Sequence, residues 1–211
     1  MGIFDHVQSR YDALKNEELS LDAYLELCKA DPSVYASPAE RLLMAIGEPT
    51  MIDTAKDPRL SRIFSNKLIK QYPAFASFYG MEECIERIVA FLTHASQGLE
   101  ESKQVLYLLG PVGGGKSSLA EKLKELMQTV PFYAIKDSPV FESPLSLFDP
   151  GEDGDILQEE YGIQKRYLKC AMSPWAAKRL NEFNGDVGRF TVVKIYPSAI
   201  KQIAVSETGP G

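Results

Sequence analysis

Apolar positions recur at helical spacing over several stretches of this chain and form short unbroken runs over a few others. Ile3, Val7, Tyr11 and Leu14 are three or four residues apart, as are Leu21, Tyr24, Leu25 and Cys28 behind Ser20; both patterns predict amphipathic helices. Asp31-Pro32 marks another helix start, and Ser37-Pro38-Ala39-Glu40 has the form of a capping box with proline at the first helical position, closed by Gly47. Residues 1 to about 47 therefore read as short helices. Residues 48–80 are punctuated by Pro49, Pro58 and Pro73. Within them Ser61 to Gln71 reads as a half-buried strand or helix with a solvated basic face. Ile85, Ile88, Val89 and Leu92 then make one apolar face of a helix from Met81 to about Ser96, ended by Gln97-Gly98.

The unbroken runs read as strands. Val105 to Leu109 predicts a buried strand, Val130 to Ile135 a second, and the β-branched run Phe190 to Tyr196 a third. Leu119, Leu123 and Leu126 place a helix after the first of them. Ile156–Tyr161 and Ser173–Phe183 read as further helices, the latter opened by Ser173-Pro174. Residues 137–162 are loop-rich. Their acidic run Gly151 to Asp155 fails the positional pattern of a calcium loop and reads as a solvated turn. A helix–strand–loop–helix–strand order predicts an α/β fold with a parallel sheet.

The loop after Leu109 carries the chemistry. Gly110-Pro111-Val112-Gly113-Gly114-Gly115-Lys116-Ser117 fits G-x-x-x-x-G-K-[ST] at every fixed position. Glycines open backbone conformations closed to other residues, so successive N–H groups can turn inward around a phosphate. The following helix N-terminus adds partial positive charge. Lys116 is placed to reach β- and γ-phosphate oxygens, Ser117 to ligate Mg2+, and Ser118 to donate to an α-phosphate oxygen. The expected cofactors are ATP and Mg2+. A glycine-rich turn that binds nothing is the bland alternative, but three consecutive glycines make a costly turn in backbone entropy.

Bulk composition narrows the class. The 211 residues are 45% hydrophobic and 25% charged, ordinary for a globular protein, with a net charge of −6. That charge argues against general nucleic-acid binding, which needs surplus Lys and Arg. Cys28, Cys84 and Cys170 lie far apart with no C-x-x-C, and His6 and His94 are isolated, so neither a disulfide framework nor a zinc site is expected. No apolar run approaches the roughly 20 residues of a membrane span, and no signal-peptide core is present. The expectation is a cytoplasmic protein with no membrane and no nucleic-acid partner.

An ATPase also needs an acidic residue at the end of a second strand to hold the magnesium shell and activate water. Asp137 after Val130–Ile135 is a weak candidate, and Asp149 ends a short proline-flanked segment, Leu145 to Asp149. Only 94 residues follow Ser117, few for a hydrolysing core whose further βα units take about 30 residues each. The expectation is the front part of a longer protein that binds nucleotide without turning it over efficiently. The signatures H-R-D, D-F-G and V-A-I-K are absent, so nothing here supports eukaryotic-type protein phosphorylation.

With these residues placed, the chain resembles the N-terminal part of the bacterial PrkA family, serine protein kinases with an AAA-type ATPase domain. The matching stretches are Ala39 to Pro49, Pro58 to Asn66, Tyr72 to Glu83 (YPAFASFYGMEE), Leu106 to Ser118 (LYLLGPVGGGKSS) and Met172 to Leu180 (MSPWAAKRL). Ser138 to Glu142 departs from the pattern, in a loop that bears on no proposed site. The resemblance implies a P-loop NTPase core of AAA type with a parallel sheet over residues 72–211, preceded by a helical segment over residues 1–71. It implies family members about three times longer, with the Walker B acid, sensors and any arginine finger beyond Gly211. It also implies that Phe78, Tyr79 and Gly80 contribute to an adenine pocket, that a protein substrate or client is acted on in stress responses, and that homo-oligomers can form. Two functions remain: an ATP-binding AAA module of a PrkA-like serine protein kinase, or an AAA-type ATPase for protein remodelling or ATP-dependent proteolysis. A small-molecule P-loop kinase is disfavoured, because such enzymes place most of their chain after the phosphate loop, whereas 109 residues precede Gly110.

Overall fold

The computed structural model describes residues 17–111, 113–168 and 171–197. The helix expected over Ile3–Leu14, His6, Val112, Cys170 and the tail from Ser206 lie outside the described residues. The main elements in chain order are β1 (Glu18–Ser20), α1 (Leu21–Ala30), α2 (Pro38–Ile46), β2 (Thr50–Asp53), α3 (Pro58–Phe64), β3 (Leu68–Gln71), α4 (Glu82–Ser96), α5 (Lys116–Met127), β4 (Phe132–Ile135), α6 (Gly154–Tyr161), α7 (Pro174–Glu182) and β5 (Thr191–Ile195). The architecture is mixed helix and sheet. The described residues pack as two compact units, one from residues 17–36 and 131–197, the other from residues 37–130. These divisions do not coincide with the 71/72 boundary expected from sequence.

In the first unit β5 is the central strand of a three-stranded sheet ordered β1-β5-β4, both ladders antiparallel. The register sets Leu19 opposite Val192 and Ile135 opposite Val192 across the two ladders. One sheet face and the apolar stripe of α1 (Leu21, Tyr24, Leu25, Cys28) enclose a core with Leu145, Leu157, Ile163, Leu168 and Ala176. Ser20 caps α1 by accepting from the Ala23 amide at 3.2 Å, and Ser173 caps α7 by accepting from Ala176 at 3.1 Å, each relieving an N–H that the first turn leaves unbonded.

The second unit packs α2, α4 and α5 around Ile46, Ile85, Ile88, Val89, Leu92, Leu119 and Leu126. The capping box on α2 is complete: Ser37 Oγ accepts from the Glu40 amide at 3.3 Å, and Glu40 Oε2 accepts from the Ser37 amide at 2.7 Å. Gly47 ends α2 at φ +75°, where a Cβ is disfavoured. Tyr72 and Phe75 are buried here, so that part of the aromatic stretch is core.

Three sequence expectations are corrected. First, the parallel sheet is not found: each ladder among the described residues is antiparallel. Second, Val105–Leu109 joins no ladder, and Val105, Tyr107 and Leu109 are 89%, 79% and 84% exposed. A continuous apolar run becomes a buried strand only when neighbours cover both of its faces, and no strand among the described residues lies beside it. Third, residues 1–71 are not helical throughout, because β1 and an antiparallel β2–β3 hairpin fall within them. Ile52 and Ile69 pair in that hairpin, and the buried Thr54 hydroxyl donates to the Lys67 carbonyl at 2.7 Å, pinning its open end. The stretch Ser61–Gln71, read as one element, is the end of α3, a left-handed turn at Ser65 and Asn66, and β3.

Candidate functional site

The site lies in the second unit, where the extended 105–110 segment turns into α5. Gly113 and Gly115 adopt φ of +82° and +74°, conformations that cost an L-residue free energy. Gly115 is also the residue preceding the helix, and no side chain caps it, so first-turn N–H groups are left for an outside acceptor. A Cβ on Gly114 would stand 3.1 Å from the Pro111 carbonyl oxygen, and one on Gly115 would stand 3.0 Å from the Met81 sulfur. The loop is thus a cradle that side chains would fill.

Lys116 is the first residue of α5 and closes the loop onto itself. Its Nζ donates to the Gly110 carbonyl at 2.7 Å and also to the Pro111 carbonyl. An ammonium carries three donors, so one remains for an anion while two hold the loop. Ser117 and Ser118 are exposed on the first turn, and Leu119, 1% exposed, anchors that turn in the core.

Two clefts flank the loop. One, of about 390 Å³, is lined by Gly113 to Ser118. The other, about 450 Å³, takes Met81, Cys84, Arg87 and Ile88 from the start of α4 on one side and Leu106 to Pro111 on the other. Both volumes fall in the roughly 300–1,000 Å³ range of small-molecule sites. The first is polar backbone and hydroxyl; the second is mostly apolar.

Of the three residues expected at an adenine pocket, Gly80, at φ +76°, lines the apolar cleft. Phe78 instead packs edge-on against Phe75, with ring centroids 5.9 Å apart, beside a separate cavity of about 10 Å³. Tyr79 is 84% exposed. Sequence reasoning missed Met81 and Cys84. With Ile88 they sit at i, i+3 and i+7, flanking the stripe read as core, and that spacing was the available signal.

The described residues include no group of three or more His, Cys, Asp or Glu able to hold a metal ion. The protein donor offered to Mg2+ at the loop is the Ser117 hydroxyl, which suits an ion that keeps its waters and takes its remaining ligands from substrate phosphates. Asp149 Oδ1 accepts from the amides of Gly151 and Glu152 at 2.7 and 3.0 Å, and Asp153 Oδ2 accepts from the Asp149 amide at 2.8 Å. These acids organise a turn. Asp137 sits in the other unit, just after β4, at φ +63°.

No described helix is long and apolar enough to cross a membrane. No solved structure matches the chain. The serine/threonine kinase YeaG of Escherichia coli K12 is 61% identical over 215 aligned positions, covering all of this chain and 33% of YeaG. The ATP-dependent protease PrkA of Bacillus subtilis is 32% identical over 89% of the chain and 28% of that protein. A deoxyguanosine kinase of Lactobacillus acidophilus is 34% identical over 41% of the chain. The chain thus spans about a third of the length of the first two relatives. Residues 19–211, which include both clefts and the whole phosphate-loop motif, match the PrkA AAA domain, and the chain belongs to that family.

Proposed function

We propose that the chain is the Mg-ATP-binding AAA-type module of a PrkA-like serine protein kinase. The observation that carries this reading is the glycine cradle at the mouth of α5, open to a polar cleft on one side and an apolar cleft on the other. The backbone N–H groups of Gly113, Gly114, Gly115 and Lys116 hold phosphate oxygens; Val112 belongs to the same motif. Lys116 keeps its grip on the loop carbonyls or exchanges one of them for a β- or γ-phosphate oxygen, neutralising charge there. Ser117 Oγ takes a place in the Mg2+ shell, and Ser118 donates to the α-phosphate. Gly80, Met81, Cys84 and Ile88 form the apolar wall against which a base is excluded from water. ATP, when bound, supplies the transferable phosphoryl group; the residue that activates the acceptor belongs to the longer protein.

A second reading is favoured by the name of the Bacillus relative, an ATP-dependent protease. In it the same cradle serves mechanical or proteolytic work on a protein client, in a homo-oligomer. The two readings separate on the fate of phosphate. Incubating the longer protein with γ-labelled ATP and candidate protein substrates, and following label on protein beside label released to solvent, decides between them. Label on a serine that depends on Lys116 supports the kinase reading. Release without transfer, coupled to client breakdown, overturns it. The cytoplasm, where ATP and protein substrates are both abundant, is the proposed location.

A further inference from the structure

A second cavity, in the unit built from residues 17–36 and 131–197, shares no residue with the phosphate loop. Trp175, Arg179 and Phe183 are spaced by four along α7 and so form one stripe. Arg189 and Phe190, leading into β5, and Lys136, following β4, complete the walls. The space is about 200 Å³, the share of roughly seven waters at about 30 Å³ each. It falls below the roughly 300 Å³ at which drug-sized ligands begin to fit. A whole nucleotide is too large; one ring with one charged group fits.

The charges decide what that group is. The Arg189 guanidinium carbon lies 4.8 Å from the centre of the Phe183 ring, and that of Arg179 lies 5.8 Å from the Trp175 ring. A guanidinium stacked on a ring keeps its N–H edge free for a planar or tetrahedral anion. Arg179 pairs with Glu182 at 2.9 Å, and Lys136 pairs with Glu18 at 2.8 Å, both partly exposed and easily exchanged. Among the described residues no acid lies within ion-pair distance of Arg189, whose charge is therefore uncompensated. Asp137 on the rim works against any ligand carrying a second anionic group.

We propose that this cavity binds a single phosphate or carboxylate carried on an aromatic ring, with Arg189 as the anchoring cation and the Trp175 and Phe183 rings as the walls. The ring-borne anion can come from a free small molecule or from a phosphorylated tyrosine of a protein. The proposal stands independently of the ATP reading.

Trp175 is the sole tryptophan in the sequence, so the protein carries its own probe. The chain is titrated with phenyl phosphate to millimolar concentration, following Trp175 fluorescence and its indole N–H resonance. Phenol and inorganic phosphate serve as half-ligands, and Arg189→Gln, Arg179→Gln and Lys116→Ala as variants checked by circular dichroism. The expected result is saturable binding of phenyl phosphate, weaker binding of either half, and an affinity reduced about tenfold by Arg189→Gln, the effect of losing one charge-assisted contact. Tighter binding of a phosphotyrosyl peptide than of phenyl phosphate assigns the protein source; weaker binding assigns the free one. Silence of both signals, equal binding of phenol or inorganic phosphate, indifference to Arg189→Gln in a folded protein, or loss in Lys116→Ala overturns the proposal.

Discussion

Replacing Glu142 with alanine removes a buried polar hub whose cost can be worked from its contacts. Glu142 is 8% exposed. Its Oε1 accepts from the Ser173 amide at 2.7 Å and from the Ser146 hydroxyl at 2.8 Å, and its Oε2 accepts from the Ser173 hydroxyl at 2.5 Å. The bonds tie the loop after β4 to the capping residue of α7. The three donors do not suffer equally. Ser146 also donates to the Ser143 carbonyl at 2.8 Å, and Ser173 Oγ keeps the Ala176 amide, so each hydroxyl retains a partner. The Ser173 amide loses its acceptor. One orphaned buried donor costs about 1–3 kcal/mol, and the weakened hydroxyl contacts add about 1 kcal/mol more, for a total of about 2–4 kcal/mol. Glu142→Gln preserves one acceptor oxygen and should lose about 1–2 kcal/mol. Ser173→Ala removes a helix cap worth about 1 kcal/mol along with one donor. Because the two residues share a bond, the double variant should fall short of the sum by about 1 kcal/mol. Urea unfolding followed by circular dichroism measures each value. A loss below about 0.5 kcal/mol for Glu142→Ala, the level of an ordinary surface change, would refute the reasoning.

Other outcomes follow from the same structure. Gly115→Ala forces an L-residue into φ +74°, costing about 1–2 kcal/mol, and should lower the melting temperature by a few degrees; adding Met81→Ala removes the thioether contact but leaves the φ cost. Cys84 is exposed and Cys28 buried, so a thiol reagent followed by peptide mapping should label Cys84 in the native protein and Cys28 only on unfolding. Mg-ATP should slow labelling of Cys84, which lines the apolar cleft; an unchanged rate places the base elsewhere. Burial pushes the Cys28 thiol from 9.0 up to about 12. The unfolded thiol ionises first, so stability is whole below pH 9 and declines as pH rises toward 12, by at most about 1.4 kcal/mol per pH unit. Cys28→Ala should flatten that decline, leaving the part due to Tyr24, whose phenol is raised by the same burial.

Local chemistry was the most legible part of the sequence. Ser20, Ser37 and Ser173 each announced a helix whose cap is formed, because a cap is decided within four residues. The strands at Phe132–Ile135 and Thr191–Ile195 were visible as β-branched and aromatic runs. Their pairing was not, since ladder direction depends on where a distant partner arrives. β1 escaped notice because three residues, Glu18, Leu19 and Ser20, carry too little periodicity to read. Val105–Leu109 has a strand's composition, but composition cannot supply the neighbours a buried strand requires. At the site, the loop motif was legible residue by residue because its glycines and lysine serve one purpose. The cleft wall was not: Met81 and Cys84 look like the margin of a core stripe, and Phe78, an aromatic in the right place, turns into the core. Glu142 sat in a loop that the residues gave no reason to single out, for its partners lie four and 31 positions away.

The central claim is that the glycine cradle binds Mg-ATP through Lys116. Calorimetric titration of the chain with ATP and magnesium, wild type beside Lys116→Ala, tests it most directly, with circular dichroism to verify that both are folded. The account predicts a saturable exothermic isotherm for the wild type and its loss in the variant. Equal affinity in the two folded proteins would contradict it.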